Sequence, residues 1–557
     1  MALLTINDRE YIVEAGTLLS DAIGLHHTLE LPCGGKGRCG KCRVTASGNL
    51  SPVSETERGH LSRRELEAGI RLACCTAVEG DCRVFLGGEA KSVICGGGEM
   101  PDFTLKPLFH TFGAAVDIGT TTLAARLYGH KGLLAQASGI NPQNRYGADV
   151  ISRIGGALAG KGVEMAQCIR KALKALLEEL SGEAGISPEQ IDALAITGNT
   201  AMLYLLTETD PDCLSHAPFE ASRLFGELWR GVDLELPCPT AKVYLPRCVS
   251  AFVGADLVTA LLASGLWRKE ETSVLADIGT NGEMALYSGK RLYCCSTAAG
   301  PAFEGTGLSM GMAGKEGAID RVAVQEGALC SHVIGGGKAA GVCGSGVVDA
   351  MSAFLELGLM DETGCLTKDP VFISERVSIS QRDVRMVQLA KSAVCAGIQT
   401  LIENAGISMA EVDRLVIAGG FGSYLNLENA GKIGLIPPAL ARKASPIGNG
   451  ALLGAAMVLL NQDFNRAFFT AGPASGNSGF SGQALFFQER YLEGMLFSIL
   501  CPLNGKLSEL VFSKRESRFR AACLLQRIGG SRGGHSGSCL LAFSFAEHPA
   551  DAYVFRL

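Results

Sequence analysis

The sequence predicts an α/β protein whose main part is duplicated, preceded by a small α+β module. The first observation is a repeat: residues 113–128 read GAAVDIGTTTLAARLY, and residues 273–287 read SVLADIGTNGEMALY. Each copy has an apolar strand, the tetrapeptide Asp-Ile-Gly-Thr, a polar turn and a second apolar strand. The offset of 160 residues is too long for a solenoid repeat and suits a duplicated domain. The second observation is a cysteine-rich loop that follows short strand-like runs near the N-terminus.

Length and composition bound the function classes. A chain of 557 residues suggests three or four domains at roughly 150 residues each. The net charge of -6 does not suggest the basic surface that binds nucleic acid. Because 47% of the residues are hydrophobic and only 19% are charged, the composition excludes a largely disordered chain. No apolar run approaches the roughly 20 residues of a membrane span, and the start, MALLTINDRE, lacks the pattern of a signal peptide. We therefore expect a cytoplasmic protein, where 20 cysteines point to metal binding or catalysis rather than to disulfides.

The first motif is a set of four cysteines. Residues 2–6 and 10–13 are β-rich runs around Asn7-Asp8, and the loop LPCGGKGRCGKCRV follows. It has C-x5-C-x2-C spacing, and a fourth cysteine lies in RLACC. An iron–sulfur cluster needs four thiolates, and glycines let the chain wrap the cluster with amide groups facing its sulfurs. The expected metal ligands are Cys33, Cys39, Cys42 and Cys74, and the loop glycines are Gly34, Gly35, Gly37 and Gly40.

Three alternatives compete with a cluster. Zinc ligands usually come as two C-x2-C pairs, which this spacing does not provide. A redox dithiol at Cys39 and Cys42 would need neither Cys33 nor Cys74. The stretch from Gly35 to Cys42 has one mismatch to a P-loop, but a thiol replaces the hydroxyl that Mg²⁺ requires. We favour the cluster.

Residues 1–88 resemble the [2Fe–2S] ferredoxin family. The first gap between cysteines has five residues instead of the plant-type four, as in the adrenodoxin-like branch. The resemblance implies a β-grasp fold. It also favours Cys74 over its neighbour Cys75, because the last ligand of the family follows a small residue at the end of an apolar run, here Leu72-Ala73.

The chemistry of the repeated hairpin suits phosphate. Each first strand ends in a carboxylate, which can hold Mg²⁺ through water. The turn that follows offers backbone N–H groups and hydroxyls for phosphate oxygens. A single such hairpin is weak evidence, since ordinary β-hairpins look alike. Two copies at domain spacing would grip a triphosphate from both sides of a cleft.

A third glycine-rich element lies near the C-terminus. LVIAGGFGSYLN at 415–426 is a buried strand followed by glycines, a turn that lets a flat ring lie against the backbone. After it, residues 447–459, IGNGALLGAAMVL, predict an apolar helix opened by glycine. Its G-x-G-x-x-x-G spacing differs from the dinucleotide-binding fingerprint.

Together these elements resemble the actin, sugar kinase, Hsp70 and acetate kinase superfamily. The resemblance implies two RNase-H-like lobes over a hinged cleft, that is, a two-lobed ATPase. Residues 117–122 would form the first phosphate loop, 277–283 the second, and the third element the adenosine loop. The expected nucleotide contacts are Gly119, Thr120, Thr121, Thr122, Asn199, Gly279, Thr280, Asn281, Gly282, Gly419, Gly420 and Gly422.

Four carboxylates are candidates for the catalytic set. Asp117 and Asp277 would associate with Mg²⁺. Glu283 and Glu304 would orient the attacking water. Alternatively, each is a surface or supporting carboxylate with no role in catalysis. Asn199 and Asn281 would contact phosphate, or they only form turns.

A ferredoxin domain ahead of this ATPase resembles the reductive activators of corrinoid proteins, over about residues 1–462. Further stretches resemble that family, namely NPQNRYGADVISRI at 141–154, TGNTAM at 197–202, FVGAD at 252–256 and GPAFEG at 300–305. The resemblance implies a [2Fe–2S] cluster and ATP with Mg²⁺. It implies that the protein returns the Co(II) corrinoid of a methyltransferase-system partner to Co(I), with an electron from an unidentified donor. A homodimer is left open, and neither nucleic acid nor membrane is expected as a partner.

Two other function classes compete with this interpretation. One is a small-molecule kinase with an accessory cluster, although the sequence offers no recognisable substrate base. The other is an electron-transfer adaptor whose ATPase fold is only a scaffold, against which the intact Asp117 and Asp277 argue.

The C-terminal tail departs from the rest of the chain. Residues 467–484 are rich in Gly, Ser and Ala, whereas 486–497 look family-like again. Residues 498–557 have a net charge of +4, so the remainder has -10. The tail is interpreted as an extension or as a reading-frame shift near 466, and we expect few long-range contacts from it outside 486–497. The predicted domains are 1–88 ferredoxin, 89–110 linker, 111–270 first lobe with an insertion, 271–462 second lobe and 463–557 atypical tail.

Overall fold

The structure is a computed structural model. In it the chain divides into two units. It describes residues 1–24, 27, 29, 31, 34–38, 40–86, 98–289, 291–467, 487, 490–497 and 553–556. The first unit holds the described residues of 1–263 and 449–469, and the second those of 264–448 and 470–557. Among the described residues, no helix is long and apolar enough to cross a membrane.

The N-terminal module is a five-stranded sheet with three short helices. The strand order is β2-β1-β5-β3-β4, with β1 parallel to β5. Asn7 and Asp8 have φ values of 42° and 71°, the left-handed backbone of a two-residue hairpin turn. This confirms the predicted α+β module. Its elements are β1 (Ala2–Ile6), β2 (Arg9–Val13), α1 (Leu19–Gly24), β3 (Arg43–Leu50), α2 (Glu55–His60), α3 (Arg63–Glu67), β4 (Ile70–Leu72) and β5 (Val78–Phe85).

The next part of the first unit is a six-stranded mixed sheet in the order β10-β11-β9-β6-β7-β8. The three central strands, 112–118, 122–129 and 191–198, are buried along almost their whole length because both faces of the sheet are covered there. The elements are β6 (Phe112–Ile118), β7 (Thr122–Gly129), β8 (Gly132–Ile140), α4 (Val150–Gly156), α5 (Gly162–Ala184), β9 (Ile191–Gly198), α6 (Thr200–Leu206), β10 (Glu227–Arg230), β11 (Lys242–Leu245) and α7 (Ala255–Ser264).

The second unit is built around another six-stranded sheet, in the order β21-β20-β12-β13-β14-β22. A three-stranded sheet, β16-β15-β17, and a two-stranded one, β18-β19, accompany it. Its elements are β12 (Ser273–Ile278), β13 (Gly282–Ser288), β14 (Arg291–Thr297), β15 (Ala318–Gln325), β16 (Ala328–Val333), β17 (Gly341–Val342), α8 (Gly344–Glu356), β18 (Val371–Phe372), β19 (Ser378–Ile379), α9 (Gln381–Asn404), β20 (Arg414–Ala418), α10 (Leu427–Lys432), α11 (Pro438–Ala441) and β21 (Ala444–Gly448). The chain then returns to the first unit as α12 (Gly450–Leu460) and α13 (Phe464–Ala467), and β22 is Tyr553–Arg556.

The two large sheets repeat one topology. In each, a central strand pairs antiparallel with the next strand of the hairpin and parallel with a strand that follows a helix. Five strands correspond in order and direction: β8-β7-β6-β9-β11 in the first unit and β14-β13-β12-β20-β21 in the second. This confirms the predicted duplicated, RNase-H-like fold.

A carboxylate contact at the start of each repeat supports the same duplication. Asp192, at the start of β9, accepts hydrogen bonds from the backbone N–H groups of His110 and Thr111. Asp413, just before β20, accepts one from the N–H of Thr272 at 3.0 Å. Each contact ties the parallel strand to the residues that lead into the central strand.

Helix α12 is apolar on every side and entirely buried, as its composition predicts. Glycine permits this packing: a Cβ at Gly454 would lie 1.8 Å from the carbonyl oxygen of Thr259 in α7. The last residues of the predicted linker, 89–110, also bond to this helix. The backbone N–H groups of Lys106 and Leu108 donate to the carbonyls of Leu460 and Leu459.

The tail differs from our expectation in one place. Strand β22 pairs antiparallel with β14 at the edge of the second large sheet, with Phe555 opposite Leu292. The expectation of few long-range contacts outside 486–497 is therefore wrong for residues 553–556. An edge strand offers unpaired backbone groups to any segment that can extend beside it, and sequence periodicity does not reveal such a partner.

Residues 490–497 pack firmly into the second unit. Phe497 is fully buried, and the ammonium of Lys391 in α9 lies 4.8 Å from its ring centroid. The Nζ of Lys391 donates to the carbonyl oxygens of Gly494 and Leu496, each at 2.5 Å. Burial lowers the pKa of Lys391 to about 7, and a neutral amine would still keep two N–H donors for these carbonyls. This segment belongs to the core.

Candidate functional site

The described part of the cysteine loop fits a cluster. The Sγ atoms of Cys42 and Cys74 lie 3.2 Å apart, and both residues are buried. Gly34, Gly35, Gly37 and Gly40 all have left-handed φ values between 60° and 73°. Such a backbone turns amide groups inward around a small group, as a cluster requires. The other two predicted ligands, Cys33 and Cys39, lie outside the described residues.

A second thiol borders the same loop. The Sγ of Cys75 lies 3.7 Å from that of Cys74, and a Cβ at Gly37 would lie 3.2 Å from it. Cys75 is half-buried, whereas Cys74 is buried. The contact with Cys42 and the deeper burial favour Cys74 as the ligand, and this choice stays a prediction.

Glu57 organises the segment that presents Cys74. Its carboxylate accepts hydrogen bonds from Arg71, from the backbone N–H of Leu72 and from the hydroxyl of Thr76. Burial alone would raise the pKa of Glu57, but the hydrogen bonds from Arg71 and from backbone N–H groups lower it to about 2. The residue is fully buried and ionised, so residues 71–76 are held rigidly. Sequence reasoning missed Glu57, although Ser54-x-x-Glu57 is a capping-box signal that forms in the structure.

Asp117 is the last residue but one of β6 in the first hairpin, next to the strand end at which the sequence predicted it. Its Oδ2 accepts a hydrogen bond of 2.9 Å from the Nδ2 of Asn449, the N-cap of α12. Burial raises the pKa of Asp117 to about 7, the Asn449 hydrogen bond opposes this, and the charge of Asp256 raises it further. A carboxylate in such surroundings gains most from a nearby cation. Neither Asn449 nor Asp256 was a candidate from the sequence.

Three side chains donate hydrogen bonds to the turn that follows Asp117. Asn141 Nδ2 donates to the carbonyl of Gly119 at 2.8 Å, and Asn199 Nδ2 donates to the hydroxyl of Thr120 at 3.1 Å. Arg153 donates to the carbonyl of Thr120 at 2.5 Å. Asn199 also caps α6 by accepting from the N–H of Met202, so it is at least a turn former, and its phosphate contact stays a prediction. Asn141 and Arg153 lie in the NPQNRYGADVISRI stretch, which the sequence marked as family-like without a role.

The second hairpin has a different local network. The Oε1 and Oε2 atoms of Glu304 accept hydrogen bonds from the N–H and hydroxyl of Thr280, at 2.8 and 2.9 Å. Glu304 thus contacts the predicted phosphate loop directly. In this structure the N–H and the hydroxyl of Thr280 both donate to Glu304. A phosphate bound there would have to share these two hydrogen bonds with the carboxylate or take its place.

Two carboxylates face each other across the second hairpin. Asp277 in β12 is directly opposite Glu283 in β13, so their side chains lie on one face of the sheet, and Glu283 is buried. Opposed like charges are unfavourable unless a proton or a cation lies near them. The first hairpin has Ala124 opposite Asp117, and its turn is one residue longer. The second copy therefore offers the denser acidic group.

The third element adjoins the second hairpin. Gly419 has a φ of 99°, and a Cβ there would lie 2.7 Å from the carbonyl oxygen of Ile278 and 3.0 Å from Oδ1 of Asp277. Only glycine allows this approach. Phe421 follows, and its ring stacks on Phe303 with centroids 5.1 Å apart.

The structure groups the predicted nucleotide residues within each unit. In the first unit Asp117, the turn of residues 119–122 and Asn199 adjoin one another. In the second, Asp277, Glu283, Glu304, the turn of residues 279–282 and Gly419 do so. That Asp117 and Asp277 bind one Mg-nucleotide stays a prediction. Each group combines carboxylates with turn N–H groups and hydroxyls, a set suited to a metal-bound phosphate.

Three sequence families match consecutive stretches of the chain. A 2Fe-2S iron-sulfur cluster binding domain matches residues 4–79, the RACo middle region matches 112–269, and the C-terminal domain of RACo, the ASKHA domain, matches 271–497. The last match includes 486–497, which agrees with the family-like appearance of that stretch.

Individual relatives agree with these matches. A reductase from Methanosarcina barkeri, named for the Co(II) methylated amine-specific corrinoid protein, is 28% identical over 317 residues, covering 50% of this chain and 57% of its own. A solved structure of a reductive activator for corrinoid, iron-sulfur protein has 24% identity and a TM-score of 0.64, covering 89% of this chain and 98% of its own. That likeness shows a common fold.

One relative is matched over nearly its whole length. The corrinoid activation enzyme RamQ of Eubacterium limosum is 32% identical over 560 residues, covering 83% of this chain and 93% of that protein. Cluster-binding module, middle region and ASKHA domain also occur here in the order that the sequence predicted. The chain belongs to the family of reductive activators of corrinoid proteins.

Proposed function

We propose that this protein is an ATP-dependent reductive activator. It passes a low-potential electron from a [2Fe–2S] cluster to the Co(II) corrinoid of a partner protein in a methyltransferase system. The observation that supports this most is the combination, in one chain, of the Cys42–Cys74 thiol pair at a glycine loop with two Asp-Ile-Gly-Thr hairpins in matching sheets.

The cysteine module would hold the cluster. Cys33, Cys39, Cys42 and Cys74 are the proposed ligands, and Glu57 holds the segment of Cys74 in place. When bound, the cluster supplies single electrons at low potential. The loop glycines would orient their amides toward the thiolates, which would favour the charged form of the site.

The duplicated hairpins would bind ATP with Mg²⁺. Asp117 and Asp277 would balance the charge of the metal, and the turn amides would hold phosphate oxygens. The glycine turn of Gly419, Gly420 and Gly422 would let the adenosine lie against the backbone. Glu304, already bonded to Thr280, is placed to exchange its hydrogen bonds with phosphate, and Glu283 stays a candidate for orienting water.

ATP is needed for energetic reasons. A plant-type cluster has a potential near about −400 mV, and a corrinoid is reduced to Co(I) only below this. Moving one electron uphill by about 150 mV costs about 3–4 kcal/mol, at 59 mV per tenfold. Binding and hydrolysis of ATP can offset this cost if the nucleotide states bind the partner with different affinity.

The experiment that tests this function mixes the reduced protein with candidate corrinoid proteins, with and without MgATP. We expect the absorbance of Co(I) to appear only when both ATP and the partner are present. ATP hydrolysis should proceed without any small-molecule phosphate acceptor. A requirement for such an acceptor would support the kinase alternative. Equal Co(I) formation without ATP would support the electron-transfer adaptor.

The pKa of Asp117 gives this activity a pH signature. The carboxyl must lose its proton to associate with Mg²⁺, and burial raises its pKa to about 7. The ionised fraction therefore rises with pH through neutrality, and the affinity for MgATP should increase about tenfold between pH 6 and pH 8. Titration with a fluorescent ATP analogue would measure this. Asp117→Asn, which cannot ionise, should bind more weakly and show no such rise.

A further inference from the structure

One segment of the first unit contacts the first phosphate loop and also lies beside the cysteine loop. This bridging segment, residues 141–153, runs from the end of β8 into α4. At the phosphate loop, the backbone N–H of Asn141 donates to the carbonyl of Thr121 at 2.9 Å, and its side chain donates to Gly119. Its far end, Arg153, donates to Thr120. The loop and the segment thus share three hydrogen bonds.

The opposite side of the bridging segment lies against the N-terminal module. A Cβ at Gly34 would lie 3.6 Å from the Cα and the backbone N of Gly147, so the two chain segments run side by side with space for about one methyl group between them. Gly34 directly follows the predicted ligand Cys33. Nearby, Arg145 Nη1 donates to the carbonyl of Gly24 at 3.3 Å, and its guanidinium lies 4.8 Å from the ring centroid of Tyr146.

Arg153 joins these two sides. It is fully buried, and its guanidinium donates to the carbonyl of Gly147 at 3.0 Å and to that of Thr120 at 2.5 Å. It also donates to Oδ1 of Asn144 at 2.6 Å. The guanidinium is planar and rigid, and leaving a buried donor unsatisfied is costly. A shift of Thr120 therefore tends to carry Gly147 with it.

Gly147 has little room to absorb such a shift by itself. A Cβ there would lie 2.4 Å from Cβ of Ser152 and 3.2 Å from the backbone N of Arg153. The turn is thus packed tightly against the first turn of α4, and Gly34 of the cysteine loop lies about a methyl group away from it. Packed elements of this kind transmit displacements instead of damping them.

We propose that Arg153 and Arg145 are positioning residues that couple occupancy of the first phosphate loop to the placement of the cysteine loop. This inference rests on the proposed function, because it assumes that the phosphate loop binds ATP and that the cysteine loop holds the cluster. Coupling between two sites is reciprocal: if nucleotide changes the energy of the reduced cluster, reduction must change nucleotide affinity by the same factor.

The test measures that factor directly. A non-hydrolysable ATP analogue with Mg²⁺ is titrated into the full-length oxidised protein and into the dithionite-reduced protein, and the two dissociation constants are compared. In the unsubstituted protein we expect them to differ by about fivefold or more. The cluster potential should shift correspondingly by about 40 mV on adding the analogue, at 59 mV per tenfold.

Two variants interrupt the link, and each has a matched control. Arg153→Lys keeps the charge but loses the planar fork, and Arg145→Ala removes the contact with Gly24 from a half-buried position. Arg170→Lys is the first control, since Arg170 is a buried arginine of the same unit that donates to the carbonyl of Leu206. Arg223→Ala is the second, since Arg223 is half-buried and lies over the ring of Trp229 at 4.9 Å.

We expect the ratio of dissociation constants to fall to about one in both link variants and to persist in both controls, with the cluster spectrum retained. Arg145→Ala keeps the proposal testable if Arg153→Lys does not fold. A ratio of one in the unsubstituted protein, or an unchanged ratio in Arg145→Ala, would overturn the coupling. Co(I) formation that depends on ATP despite a ratio of one would leave the proposed function standing. A ratio of dissociation constants that differs from one, without any Co(I) formation, would support the coupling and contradict the proposed function.

Discussion

Replacing Cys74 with serine should abolish or alter the visible absorption and the reduced-state EPR signal of the protein, with loss of bound iron. The Cys74 Sγ lies 3.2 Å from that of Cys42, at a loop that contains four left-handed glycines, and Glu57 bonds to the backbone N–H of Leu72 in the same segment. A hydroxyl is a much poorer ligand for iron than a thiolate, so the substitution removes one of the four proposed ligands. Iron analysis and EPR after reduction would measure the effect.

Cys75→Ser is the matched control, since it removes a thiol from the adjacent position. Its spectrum should match that of the unsubstituted protein. The Cys75 Sγ also borders the loop, so the comparison is informative. Retention of the cluster in Cys74→Ser together with its loss in Cys75→Ser would show that the fourth ligand is Cys75.

Replacing Asp117 or Asp277 with asparagine should reduce ATP hydrolysis by about 100-fold or more while leaving the cluster spectrum intact. Asparagine keeps the shape of the side chain and can still accept a hydrogen bond, but it removes the charge that would neutralise Mg²⁺. Electrostatic groups of this kind are commonly worth several kcal/mol in the transition state. Phosphate release at saturating ATP would measure the loss.

The duplicated fold supplies matched controls for both substitutions. Asp192 and Asp413 lie at the start of the parallel strand in each repeat, where their carboxylates accept hydrogen bonds from backbone N–H groups. Asp192→Asn and Asp413→Asn should retain hydrolysis to within a few-fold. Activity that survives in Asp277→Asn and disappears in Asp117→Asn would restrict the metal site to the first unit and contradict a nucleotide held by both hairpins.

The overall fold was predictable from the sequence because its signals are local. Asn7-Asp8 between two β-rich runs specifies a hairpin through backbone preference alone, and the structure has that hairpin. The Asp-Ile-Gly-Thr repeat marks the same hairpin in two sheets, and the strand order that follows is common to both. Helix α12 was predictable because an apolar run of this length must be buried.

The supporting residues of the site were not predictable, because their partners are distant in sequence. Asn449 reaches Asp117 across 332 positions, and Arg153 reaches Thr120 across 33. Strand β22 could not be foreseen either, since an edge strand needs only an open backbone beside it. Local chemistry thus determined which residues are candidates for holding a cluster and binding phosphate. Only the tertiary structure decided which buried amides, carboxylates and guanidinium groups hold them in place, because a buried polar group must find a hydrogen-bond partner wherever the folded chain provides one.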